Sequence, residues 1–220
     1  MKKVQIKIKD SFCVRCFVIF IVMLIFVIAS ISILLFCINI EKQSELKTIN
    51  IKHSKQIATL KSDIEKCKTA QLDALELKIE RMKNYILWQK PSIKEYTAET
   101  IAKAVVITSA QHRINPSLVI GLIAVESSYD EKALSNAEAY GLLQVRFPVW
   151  KETFNIKNLE DLYDIRYNIL IGVQILKHYI TIHNNDISRA LQAYNGSKGQ
   201  KFPNKVFLAA GKFSAYNTLK

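Results

Sequence analysis

Between Phe17 and Ile40 the chain reads FVIFIVMLIFVIASISILLFCINI, 24 residues without a charge. At about 1.5 Å of rise per residue, a helix of that length crosses a hydrocarbon core roughly 30 Å thick with some tilt to spare. The apolar core of a cleaved signal peptide is shorter, about 7–15 residues, and ends in a small-x-small site that is not evident here. A lipoprotein reading at Cys37 meets Phe36 where a small residue belongs. The run is therefore read as an uncleaved transmembrane anchor over residues 17–40.

The flanks give an orientation. Residues 1–16 carry Lys2, Lys3, Lys7, Lys9 and Arg15 against Asp10, whereas Glu41, Lys42, Glu45 and Lys47 alternate in sign just beyond the run. The positive-inside bias predicts a cytoplasmic tail at 1–16 and an extracytoplasmic segment at 41–220, the topology of a single-pass type II membrane protein. Of 31 basic and 19 acidic residues, 5 and 1 lie in the first forty, so the exported part keeps a net charge of +8. A basic exported domain suits an anionic cell envelope, and its location argues against nucleic acid as a partner. Cysteines stand at 13, 16, 37 and 67 only. Cys13 and Cys16 have zinc-like spacing without a second pair of ligands, so no metal is expected. Cys67 is either an unpaired thiol or a crosslink between two copies.

Residues 41–90 are rich in Lys, Glu and Gln and contain no glycine. Ile57, Leu60, Ile64 and Cys67 form one apolar stripe, and Leu72, Leu75, Ile79, Met82 and Ile86 form another, offset in register. Steps of three and four predict a helical stalk over 41–92, either solvated on its own or paired into a homo-oligomer as a coiled coil. Pro91 and Ser92 mark the boundary with a domain over 93–220. In that domain EYTAETIAKAVVITSAQHR reads as an amphipathic helix. NPSLVIGLIAVESS follows as a second, capped by Asn115 with Pro116 at its first position. Further helices are predicted over 164–183, after a cap at Asp186, and from Pro203. No segment alternates with period two, so the expected class is all-α with little or no sheet.

The second of those helices ends in a question, because Glu126 follows an unbroken apolar run. Val119, Leu122, Ile123 and Glu126 share one stripe, which puts the carboxyl on the buried side at the last turn. Desolvation and the negative end of the helix dipole both raise its pKa, which suits a general acid. The alternative is a glutamate turned outward at a frayed end and paired with a cation.

Three later stretches weigh on that choice. ESSYD is followed by AYGLLQV (139–145) and ALQAYNGS (190–197), with YDIRYNILIGVQIL between them. Together these resemble the soluble-lytic-transglycosylase catalytic domain, glycoside hydrolase family 23, in the goose-type lysozyme-like superfamily; the resemblance covers about residues 97–210. It implies a lysozyme-like helical fold and cleavage of the MurNAc-β-1,4-GlcNAc bond of peptidoglycan without water, leaving 1,6-anhydroMurNAc ends. It implies Glu126 as acid and then base, and no cofactor. It assigns Ser127, Gln144 and Asn195 to hydrogen bonds with the sugars, and places Tyr194 where its hydroxyl can orient the carboxyl. The chemistry is self-consistent: an ordinary glycosidase needs two carboxylates, but attack by the sugar's own C6 hydroxyl needs only one.

Each assignment has a plainer counterpart. Tyr194 is compatible with a core tyrosine, Gln144 with an amide that satisfies backbone, and Ser127 with a cap on its own helix. Asp130 reads as a loop cap. His112, His178 and His183 lack paired ligands. Tyr140 and Phe147–Trp150 offer aromatic surface either to sugar faces or to a core. Leu143 stands where the family commonly has Met, and AYNGS moves a glycine one position earlier. The competing functions are a hydrolytic muramidase of the same fold and a non-catalytic wall-binding scaffold. Small transglycosylases of secretion and conjugation machines share this single-domain form, although no residue here identifies such machinery as a partner.

Overall fold

The computed structural model describes residues 2–218, with side chains from Arg15 onward; the charges from Lys2 to Asp10 and Cys13 fall outside the described side chains. The chain divides into two compact units, Met1–Lys68 and Thr69–Lys220.

The first unit is helical throughout its described residues, as the N-terminal part of α1 (Lys2–Gln89). Every described side chain in 15–68 is exposed, including Phe17, Leu24, Leu34 and Phe36 of the apolar run. By length and composition this helix can cross a membrane. Cys16, Cys37 and Cys67 are free thiols.

The second unit begins earlier than the expected boundary at 92/93, because the last turns of α1 belong to its core. Met82, Tyr85 and Ile86 are at most 1% exposed, and Leu75 and Ile79 pack against the same cluster. The Leu72–Ile86 stripe, expected to face solvent or another copy, is for the most part the seam by which α1 joins this unit. Pro91 then marks the break in the chain: α1 ends at Gln89, two residues short of it.

The remaining helices are α2 (Glu95–His112), α3 (Pro116–Glu126), the single turn α4 (Phe147–Trp150), α5 (Ile165–Ile182), α6 (Ile187–Asn195) and α7 (Lys201–Thr218). Their ends follow local chemistry. Arg113 closes α2 in the left-handed conformation, the Asn115 side chain accepts the Ser117 N–H at the start of α3, and Asp164 and Asp186 cap α5 and α6 in the same way. α7 starts two residues before Pro203, whose missing N–H costs nothing in a first turn.

α3 lies at the centre, buried along Leu118–Ile123, with α7 against it and α2 beside it. Gly121 permits the close crossing, since a Cβ there would lie 2.7 Å from the backbone nitrogen of Ala210 and 2.8 Å from the Val206 carbonyl oxygen. α5 packs on α2 and α6. A smaller apolar cluster of Tyr140, Val145, Ile156, Leu162, Ile171 and Ile175 sits beneath the segment between α3 and α5. Among the described residues, sheet is a two-residue antiparallel ribbon, β1 (Ala139–Tyr140) with β2 (Val145–Arg146), and a 3₁₀ helix spans Leu159–Tyr163. The fold is all-α and lysozyme-like, as expected.

Candidate active site

A cleft of about 190 Å³ opens where the end of α3, the β1–β2 ribbon, α4 and the end of α6 meet. Glu126, Gln144, Tyr194 and Asn195 line it, together with Arg146 and Trp150. Four of the five residues singled out from the sequence thus converge from three separate segments. Ser127 does not line the cleft. Its hydroxyl donates back to the Ile123 carbonyl at 3.2 Å, as a cap on its own helix.

Glu126 is the last residue of α3, and among the residues lining the cleft it is the one acid. Burial holds its pKa up at about 7, so the carboxyl is substantially protonated near neutral pH. It forms no ion pair among the described residues, and the outward, salt-bridged alternative does not hold. Behind it the chain turns sharply: Ser128 and Tyr129 both take positive φ, at 51° and 63°. The Asp130 carboxylate accepts the Lys132 N–H at 3.0 Å, a loop-capping role.

The opposite wall is the turn Gly141–Gln144, held from below by Asn168 of α5. This side chain is 1% exposed. Its oxygen accepts the Leu143 N–H at 2.8 Å, and its nitrogen donates to the carbonyls of Tyr140 and Leu162, both at 2.8 Å. Gly141, at φ 72°, passes so close that a Cβ would lie 2.5 Å from the Leu162 oxygen. Gln144 is also in the left-handed region, at φ 47°. Its Nε2 donates to the carbonyls of Gly141 and Ala133, at 2.9 and 3.2 Å, so the amide satisfies backbone, as the plainer reading had it, while also lining the cleft.

Tyr194 closes the back of the cleft. Its hydroxyl donates to the Leu143 carbonyl at 2.7 Å, tying α6 to the ribbon turn. Burial, with Glu126 and Tyr179 nearby, pushes its pKa well up, so it stays a neutral donor. Its ring meets Tyr179 edge-on at 6.4 Å, and Tyr179 meets Trp150 at 5.7 Å, a chain of rings whose two ends, Tyr194 and Trp150, line the cleft. Asn195 follows on the exposed end of α6, where Gly196 closes the helix at φ 70°.

Two contributors escaped the sequence reading. Arg146 brings a guanidinium to the lining, and its Nε donates to the Ala137 carbonyl at 3.4 Å. Asn168 was legible in principle as an amide within the apolar face of YDIRYNILIGVQIL, where a buried polar group calls for backbone partners.

The cleft thus brings a largely protonated carboxyl together with polar amides and aromatic rings on a lysozyme-like helical fold. The Transglycosylase SLT domain family matches residues 103–217, more than half the chain, and the chain belongs to that family. Among curated proteins, a transglycosylase of Enterobacteria phage PRD1 is 32% identical over 116 residues, covering 49% of this chain and 40% of the phage protein. A membrane-bound lytic murein transglycosylase E of Buchnera aphidicola subsp. Acyrthosiphon pisum is 30% identical over 118 residues, covering 49% of this chain and 52% of its own. A protein of the same description from Buchnera aphidicola subsp. Baizongia pistaciae is 33% identical over 92 residues. The chain thus spans about half or less of the length of these relatives.

Proposed function

We propose that this protein is a membrane-anchored peptidoglycan lytic transglycosylase, cleaving the MurNAc-β-1,4-GlcNAc bond to leave 1,6-anhydroMurNAc ends. The observation that carries the reading is Glu126, a desolvated carboxyl and the one acid of a cleft lined with amides and rings. In the first step its proton passes to the glycosidic oxygen as that bond breaks. In the second, the carboxylate takes the proton of the C6 hydroxyl as that oxygen closes on C1. The Tyr194 hydroxyl donates to the Leu143 carbonyl, which holds the neutral phenol beside Glu126 and leaves the proton of that acid free for the glycosidic oxygen. Gln144 Oε1 and Asn195 are assigned to the sugar hydroxyls and N-acetyl groups, and Trp150 to a sugar face.

The single acid favours this reaction over a muramidase, which needs a second group to activate water. Glu126→Gln tests the assignment: wall clearing by the full chain should fall at least about 100-fold with folding retained. Persistent clearing would remove Glu126 from the mechanism. The exposed apolar run at 17–40 supports anchoring through that helix, with the catalytic unit outside the inner membrane. The exposed stripe Ile57, Leu60, Ile64 and Cys67 supports self-association of the stalk. Sedimentation of the full chain in micelles at high concentration should then show more than one copy, and a monomer would contradict it.

A further inference from the structure

The cleft holds a charge that the proposed proton transfers leave unused. Among its lining residues Arg146 is the one cation and Glu126 the one acid. Burial keeps Glu126 largely neutral, so before any proton moves the charge of the lining is that of the guanidinium. A chain of plain N-acetylglucosamine, which carries no charge, would gain little from it.

Arg146 is held in place by its backbone. It lies on β2 opposite Ala139 and caps α4 in an extended conformation. The Nε bond to the Ala137 carbonyl, at 3.4 Å, anchors one edge of the guanidinium to the segment that enters β1. Both Nη groups are left without a partner among the described residues, and no carboxylate pairs with the side chain, Glu138 of the same ribbon included. Nor is Arg146 the counter-ion of the catalytic acid: burial raises Glu126, and no cation pulls it back. The charge is felt at Tyr179, where burial raises the phenol and Arg146 works against that rise. The guanidinium thus stands on the Trp150–Tyr179 side, apart from the acid. A planar cation with free, parallel N–H groups is matched by a carboxylate, which it grips with two hydrogen bonds.

We propose that Arg146 is a specificity-determining residue that pairs with a carboxylate borne by the lactyl substituent of a muramyl unit, selecting muramyl glycan over uncharged N-acetylglucosamine chains. The inference rests on the reading of the cleft as a peptidoglycan site. A muramyl unit offers such a carboxylate in two ways. It stands on the lactyl ether itself where the peptide stem has been removed, or on the second residue of an attached stem. In either case the charged group sits beside the glycan and not at the bond being cut, as Arg146 sits beside the acid.

The test uses the full chain carrying Glu126→Gln in detergent micelles, so that binding is read by calorimetry without cleavage. Four tetrasaccharides serve as probes. Three alternate GlcNAc with MurNAc and bear free lactyl carboxylates, lactyl carboxamides, or L-Ala-γ-D-Glu on each lactyl group; the fourth is chitotetraose. A charged saccharide is expected to bind at least about tenfold tighter than the carboxamide or chitotetraose. Adding Arg146→Gln should collapse that ratio to about one, and Arg146→Lys should restore part of it. The preference supports the inference whichever charged saccharide shows it: the free lactyl chain assigns the carboxylate to the ether, the dipeptide chain to the stem. Equal affinity for all four, a ratio that survives Arg146→Gln, an equal loss of chitotetraose binding with that variant, or no saturable binding would each overturn it. Cleavage by the chain with native Glu126 is scored separately. Cleavage without a charge preference removes this inference and leaves the proposed reaction; a preference without cleavage does the reverse.

Discussion

At the scale of single residues, the strongest demand falls on Glu126, whose pKa rises from 4.5 to about 7 in the folded chain. Below pH 4.5 the carboxyl is protonated in both folded and unfolded states, and its burial costs little. Between pH 4.5 and 7 the folded chain keeps a proton that the unfolded chain has released, so stability falls as pH rises. Above pH 7 the cost reaches about 3 kcal/mol. Glu126→Gln is therefore expected to raise the melting temperature above pH 7 and to leave it unchanged below pH 4.5, as followed by circular dichroism; a pH-independent difference would contradict this. Activity should move in the same direction as protonation, declining as pH rises through about 7. Asn168 makes the second residue-scale prediction. Asn168→Leu strips partners from the Leu143 N–H and the Tyr140 and Leu162 carbonyls, at a cost of about 3 kcal/mol. The turn carrying Gln144 should loosen, so cleavage should weaken along with the melting temperature, whereas a variant as stable as the parent would refute the brace.

At the scale of elements, the last turns of α1 are part of the catalytic unit rather than a detachable stalk. Met82, Tyr85 and Ile86 are buried in the common core, and each fully buried side chain contributes about 1.5–3 kcal/mol. A chain starting at residue 91 forfeits all three, an amount comparable with the whole stability of a small domain. We expect such a chain to melt early or to remain unfolded, while a chain starting at Thr69 folds; equal cooperative melts would contradict this. The helices themselves were legible in the sequence. Asn115–Pro116, Asp186 and the 164–183 stripe announced their elements because caps and 3.6-residue periodicity are local signals. The role of the Leu72–Ile86 stripe was not legible, since a seam for another copy and a seam for one's own domain share one pattern. The β1–β2 ribbon is two residues a side and too short to display an alternation. In the site, Glu126 could be read from its place on a buried stripe. Ser127's cap on its own helix was one of the two readings its sequence left open, whereas Arg146's arrival in the cleft follows a turn with Gly141 and Gln144 at positive φ that no periodicity reports.

Across the whole molecule, one chain carries an apolar helix able to cross a membrane and a second unit proposed to act on wall glycan. The flanking charges predict the N-terminus inside and residues 41–220 outside. Protease added to spheroplasts should therefore digest a C-terminal tag; a tag protected in intact spheroplasts and cut only after lysis would reverse the topology. In the proposed mechanism Glu126 alone performs both proton transfers, with no water consumed. Mass spectrometry of the soluble fragments released from purified peptidoglycan by the full chain, beside its Glu126→Gln variant, tests this most directly. The expected products are fragments one water lighter than hydrolysis products, carrying 1,6-anhydroMurNAc ends and absent with the variant. Reducing MurNAc ends would contradict it, showing that water enters the cleft and that a second group serves as base.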